Sequence, residues 1–206
     1  MELWIPSQTL DIDNIHITPF EQHASQKIMV APIKYSDTNI SLSNFITLTP
    51  PLEVLFHDVH SGKLVLSLVD HPVLATKLSK LQSYLAMTLF INQQSFFGFV
   101  NPLLTADMFR KIIFPIAYNK KLTIYMGSSA QSVRVYGSSG SCTTGLQSAL
   151  VQGEKVRIAF QLHGLSILTH PSVSILQALM PIQTDVSGGS ICKLRFQQSV
   201  KAIYMV

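Results

Sequence analysis

The stretch Cys192-Lys193-Leu194-Arg195-Phe196-Gln197-Gln198-Ser199-Val200-Lys201-Ala202-Ile203-Tyr204-Met205-Val206 decides the fold class. Cys192, Leu194, Phe196, Val200, Ala202, Tyr204 and Val206 take one parity, and Lys193, Arg195, Gln197, Ser199 and Lys201 take the other. Successive side chains of an extended backbone point to opposite faces, so a period of two predicts a strand with one apolar face and one wet face. Upstream, Val156, Ile158, Phe160 and Leu162 alternate with Arg157, Gln161 and His163, within an expected strand over 156–168. Leu122, Ile124 and Met126 alternate with Lys121, Thr123 and Tyr125, and Val133 and Val135 with Arg134 and Tyr136. Gly137 to Gly145, rich in glycine and serine, reads as a loop between strands.

Shorter strands are expected nearer the start, at 14–17, 26–30 leading into 33–35, 40–43 and 45–48, the last ended by Pro50-Pro51. Leu52–Phe56 and Lys63–Val69 flank His57-Asp58-Val59-His60-Ser61-Gly62, which reads as a hairpin loop. One segment has the other period. Leu74, Leu78, Leu81, Leu85 and Leu89 recur at steps of four, three, four and four, one stripe of a long helix that starts near Asp70 and Pro72. Lys77, Lys80 and Tyr84 are expected on its exposed face. A second, short helix is expected from Thr105 to Ile113, before Pro115. The whole, residues 1–206, reads as a single mainly β domain with one long and one short α-helix.

Composition narrows the classes further. Charged residues are 13% of 206 and apolar residues 47%; a disordered chain needs more charge and less to bury. Apolar runs stay far below the roughly 18 residues that span a bilayer, and Met1-Glu2-Leu3-Trp4 has no basic start with an apolar stretch behind it, so neither a membrane chain nor a secreted one is expected. Cys142 and Cys192 form no CxxC pair; a single disulfide stays open, with a reducing compartment the better expectation. The net charge of +4 is unevenly spread: residues 1–60 carry −5 and residues 61–206 carry +9. Such asymmetry fits a basic surface that meets a polyanion, and it fits equally a segregation of solubilising charge.

Catalytic signatures are missing. There is no P-loop, GxGxxG, HExxH or GxSxG pattern. His57-Asp58-Val59-His60 has two histidines three apart, but on a turn and without further ligands nearby, so a solvated loop is expected there and no metal. Ser138-Ser139-Gly140-Ser141-Cys142 shows neither a base nor a cationic neighbour that would activate a thiol. No catalytic residue, cofactor or metal is expected. The chemistry lies instead on the wet parity of the late strands, where Lys121, Tyr125, Arg134, Tyr136, Arg157, Lys193, Arg195 and Lys201 would make a basic face with interleaved aromatic rings. Cations follow phosphates and rings stack on unpaired bases without reading sequence.

The order of features resembles that of the single-stranded-DNA-binding proteins of nucleocytoplasmic large DNA viruses. The resemblance is one of layout over most of the chain. It runs through LDIDNIHITPF (10–20), KIMVAPIKY (27–35), FITLTPPLEVLF (45–56) and GKLVLSLVD (62–70). It continues through MFRKIIFPIAYNKKLTIYM (108–126), VRVYG (133–137), GEKVRIAFQLHGLSIL (153–168) and GGSICKLRFQQSVKAIYMV (188–206). It implies an OB-like β-barrel with insertions that coats or protects single-stranded DNA, or RNA, in replication or repair at the viral replication site in the host cytoplasm or nucleus. The contact surface it implies takes in Lys121, Tyr125, Arg134, Tyr136 and the basic parity of the closing strand. Against that reading stands a structural or virion β-barrel, assembling with copies of itself or with a capsid partner; the low charge and the apolar end Ala202–Val206 favour it.

Overall fold

The computed structural model describes residues 3–22, 28–38, 41–43, 45–126, 132–146, 150–169 and 192–206. The first strands are β1 (Leu3–Pro6), β2 (Ile15–Ile17), β3 (Glu21–Gln22), β4 (Met29–Ser36), β5 (Ser41–Leu42), β6 (Phe45–Leu48), β7 (Leu52–Asp58) and β8 (Lys63–Ser67). Helices α1 (Pro72–Ile91), α2 (Gln93–Phe97) and α3 (Ala106–Ile112) follow. The chain then returns to strands β9 (Ala117–Tyr118), β10 (Lys121–Tyr125), β11 (Arg134–Tyr136), β12 (Cys142–Thr144), β13 (Lys155–Thr169) and β14 (Cys192–Met205). The protein is mostly β, as the alternating segments predict. Gln26, Lys27 and Ile40, which the sequence places in strands, lie outside the described residues.

β13 is the spine. Along one edge it pairs antiparallel with β14. Its other edge takes β7 at Lys155–Val156, β6 at Ala159–Gln161 and β4 at Gly164–Ser166. The longest path through the mixed sheet is β12-β11-β14-β13-β7-β8-β10-β9, which among the described strands ends at two edges and does not close. β11 runs parallel to β14, and β1 parallel to β6. At Gly164 the backbone of β4 comes so near that an added Cβ would sit 2.4 Å from the Ala31 carbonyl oxygen. No side chain fits there, which is why glycine interrupts an otherwise apolar strand.

Two single-residue bulges set which way the long strands face. Leu162 pairs with Gln198 and Gly164 with Gln197, leaving His163 as the extra residue of β13. Phe160 pairs with Val200 and Ala159 with Ala202, leaving Lys201 as the extra residue of β14. A bulge shifts the parity of everything beyond it. The core therefore takes Leu194, Phe196, Val200 and then Ile203, rather than the unbroken even series that the sequence predicts. Ala202 and Tyr204 turn to the opposite face, and Val206 is exposed at 66%.

The leucine stripe of α1 is buried throughout, with Leu81, Leu85 and Leu89 fully enclosed. The helix starts where expected, at Pro72. His71, not Asp70, precedes the first helical residue, and Pro72 occupies the first turn, where its missing N–H costs nothing. Lys80 is exposed as expected. Lys77 is not a free cation, because its Nζ donates to the carbonyls of Ser7, Gln8 and Leu10, and Tyr84 packs against the core. α3 is the expected short helix, capped by Thr105, whose hydroxyl accepts the Met108 N–H. Gln82 of α1 donates to the Arg110 and Ile113 carbonyls at its other end. α2 is an addition to the expected pair. Its Phe96 and Phe97 join Phe20, Phe99 and Phe109 in an aromatic cluster, and Gly98 ends it in the left-handed conformation at φ +76°. The Gly/Ser segment is likewise more than a loop, since Cys142–Thr144 folds back on β11 as β12.

Candidate nucleic-acid interface

The solvent side of the β11-β14-β13-β6 region carries large rings over small residues. Ala159 and Ala202 face outward beside each other, fully covered by the partly exposed side chains of Trp4, Leu48, Tyr136 and Tyr204. Register explains the arrangement. Tyr136 of β11 lies opposite Tyr204 of β14, and Tyr204 lies opposite Arg157 of β13. The two tyrosine rings stack with centroids 4.7 Å apart and planes 8° from parallel. Trp4 meets Tyr204 edge-on at 6.2 Å. Two residues back along β11, Arg134 lies opposite Ala202, and the Arg157 Nε donates to the Thr49 carbonyl at 3.2 Å, which fixes its head beside the stack.

Electrostatics agree with that geometry. Burial and the neighbouring Tyr136 push the Tyr204 hydroxyl above its usual range, while Arg134 and Arg157 pull it back. Both cations thus act on the ring pair. Among the described residues neither has a carboxylate partner, so their charge is free to meet an anion. Cys142, exposed and free, borders the stack on β12.

The eight residues expected to form one face divide into groups. Arg134, Tyr136 and Arg157 come together as expected. Tyr125 and Arg195 form a second group with Phe114, where the Arg195 guanidinium lies 5.4 Å from the Phe114 ring centre and 5.8 Å from that of Tyr125. Lys193 is exposed two positions from Arg195 on the same parity. Lys201 occupies the β14 bulge beside His163, whose Nε2 is 2.8 Å from Ser199 Oγ. Burial and Lys201 together hold the His163 ring below its usual pKa, so it stays neutral near neutrality. Lys121 stands apart, opposite Ser67 and Tyr118 near the other end of the sheet.

Two ring residues of this face, Tyr204 and Trp4, lie beyond what strand parity predicts. Tyr204 was expected in the core, and the bulge at Lys201 turns it outward. Its trace in the sequence is that Ala202–Val206 is apolar at both parities, which one regular strand does not need. Trp4 comes from the far end of the chain through β1, and no local pattern announces it. The chain matches no protein-family model, no curated protein and no solved structure.

Proposed function

We propose that this protein is a non-enzymatic single-stranded-DNA-binding protein whose contact face is the Tyr136–Tyr204 stack with Arg134 and Arg157. The observation that carries the reading is the stack itself: two parallel rings on the solvent side, flanked by two cations that have no carboxylate partner among the described residues. A ring already held by a neighbour loses little freedom when a base adds to it. Cations beside it gain by displacing condensed counterions from phosphates. An OB-like barrel is the architecture we infer beneath this face. In its support, the chain beyond α3 bridges Ile113 to Leu194 of β14, and Ile116 accepts the Thr123 N–H of β10, so this segment links β14 to β10 across the gap between them. Coating of single strands during viral replication or repair, in the host cytoplasm or nucleus, is the role that fits such a face.

The test uses the chain's own probe. Trp4 is its one tryptophan and touches Tyr204, so oligo-dT that binds here changes indole emission, in parallel with the anisotropy of a labelled strand. Tyr136→Ala should weaken binding by about 1–3 kcal/mol and leave the salt slope unchanged. Arg134→Gln should flatten the log–log salt slope by about 0.7. A protein that leaves both signals unmoved at low salt, while sedimenting as a stable assembly, would hand the case to the structural reading. That second reading has one observation of its own, the exposed edge strand β12.

A further inference from the structure

We propose that single-stranded DNA is held at two stations along β14, so that the protein prefers strands long enough to span both; this rests on the reading above. The first station is the Tyr136–Tyr204 stack. The second is Arg195, with its guanidinium over the rings of Phe114 and Tyr125. An arginine held against aromatic faces is a weakly hydrated cation with a planar surface, suited to a phosphate on its edge and a base on its plane.

What joins the stations is the bulge at Lys201. Arg195 and Tyr204 are nine residues apart, which in a regular strand would place them on opposite faces. The extra residue restores their phase, and both look to solvent from the same side of β14. Eight regular steps at about 3.3 Å separate them by roughly 26 Å. Gln197 and Ser199, half-exposed and polar, line the way between. A stacked single strand advances about 3.4 Å per nucleotide, so roughly eight nucleotides cover the distance, inside the range of about 4 to 16 known for single-strand sites.

The deciding experiment titrates oligo-dT of four, eight, twelve and sixteen nucleotides against the full chain, following Trp4 emission. The expected result is a step of about tenfold or more between the four- and twelve-nucleotide strands, flat thereafter. Arg195→Gln should remove the step, bringing the twelve-nucleotide affinity down to that of the four-nucleotide strand. Lys193→Gln, at an exposed neighbour on the same parity, should reduce the step and serves if Arg195→Gln does not fold. Equal weakening at every length, or affinity that climbs smoothly in the wild type, would overturn the two-station arrangement while leaving single-strand binding intact. No response at any length would overturn both.

Discussion

Lys77 offers the sharpest test of how the N-terminal strand is held to the rest of the molecule. Its ammonium donates to the carbonyls of Ser7 (3.3 Å), Gln8 (2.5 Å) and Leu10 (2.8 Å), some seventy positions earlier in the chain. An ammonium has three protons, so its donor capacity is filled. The accepting carbonyls belong to the turn that leaves β1, where the Thr9 and Leu10 N–H groups already close on the Pro6 carbonyl and Ser7 N–H on that of Leu48. Lys77 thus ties β1 and its turn to α1. Lys77→Met keeps the stem and deletes the donors. A hydrogen bond involving a charged group contributes about 1.5–3 kcal/mol net. Three bonds to one charge do not sum, and the exposed Gln8 carbonyl regains water when the donor leaves. The part-buried Ser7 and Leu10 carbonyls do so less readily. The expected loss is therefore about 2–4 kcal/mol. For a chain of this size about 2–4 °C of Tm follows each kcal/mol, so Tm should fall by roughly 5–15 °C. Urea and thermal unfolding followed by far-UV circular dichroism measure it, with Lys80→Met as control. Lys80 is exposed on the same helix, and its replacement should stay within about 0.5 kcal/mol of wild type. If the two variants melt together, the tether contributes nothing and the reasoning fails.

Gly164→Ala should be among the most damaging single methyl additions, because the new Cβ would lie 2.4 Å from the Ala31 carbonyl oxygen and 2.8 Å from Val30 Cγ1. Overpacking of this kind costs about 1–3 kcal/mol or more, and a variant with an unchanged urea midpoint would show that β4 does not approach β13 as described. Acidification should also destabilise the fold through His57. Burial holds its ring below the usual 6.5, against the opposing pull of Asp58, and its Nδ1 accepts the Leu150 N–H at 3.0 Å, which requires a ring with that nitrogen unprotonated. A ring depressed in the folded state binds fewer protons there than when unfolded. Its contribution is therefore complete above the unfolded pKa of 6.5 and is lost as pH falls from there through the folded value. His163, held low by burial and Lys201, adds in the same direction. Urea midpoints taken downward from neutral pH should decline less steeply in His57→Gln, and an identical decline would assign the effect elsewhere.

Legibility in the sequence followed how local each cause is. The leucine stripe of α1 and the parities of β10 and β13 up to Leu162 arise from each segment's own pattern, and the structure buries the residues they single out. β1, β3 and β9 have four, two and two residues and exist through their partners, so nothing in their own sequence separates them from loop. α2 hides in a run of aromatics that suits strand and helix alike. At the candidate interface, Arg134, Tyr136 and Arg157 can be read as outward-facing because their strands alternate regularly around them, Arg157 lying before the bulge of β13 at His163. Which of the eight residues would meet could not be read, since that depends on strand order, and strand order is written in no single segment. Lys121 shares its parity logic with Tyr125 yet ends up four residues along β10, away from the Arg195 group.

The bulge at Lys201 links the core to the surface in one step. Had β14 kept its even parity, Tyr204 would enter the core and Ile203 would face water. Burial of an isoleucine contributes about 1.5–3 kcal/mol, and Ile203 is fully buried opposite Ile158. Enclosing Tyr204 in its place would also strand a hydroxyl away from water. The extra residue resolves both demands, and the outward Tyr204 stacked on Tyr136 is the consequence. It follows that Lys201 is dispensable to the facing of the strand. Its deletion would leave Val200 and Ala202 adjacent, opposite Phe160 and Ala159, with each later side chain on its present face. Such a variant should fold and keep the contact between Trp4 and Tyr204, visible as unchanged indole emission. Insertion of one alanine after Lys201 should instead drive Tyr204 inward, Ile203 outward, and the emission with them. If the deletion abolished folding, the bulge would have to carry stability through its twist or through the Lys201 side chain rather than by correcting phase.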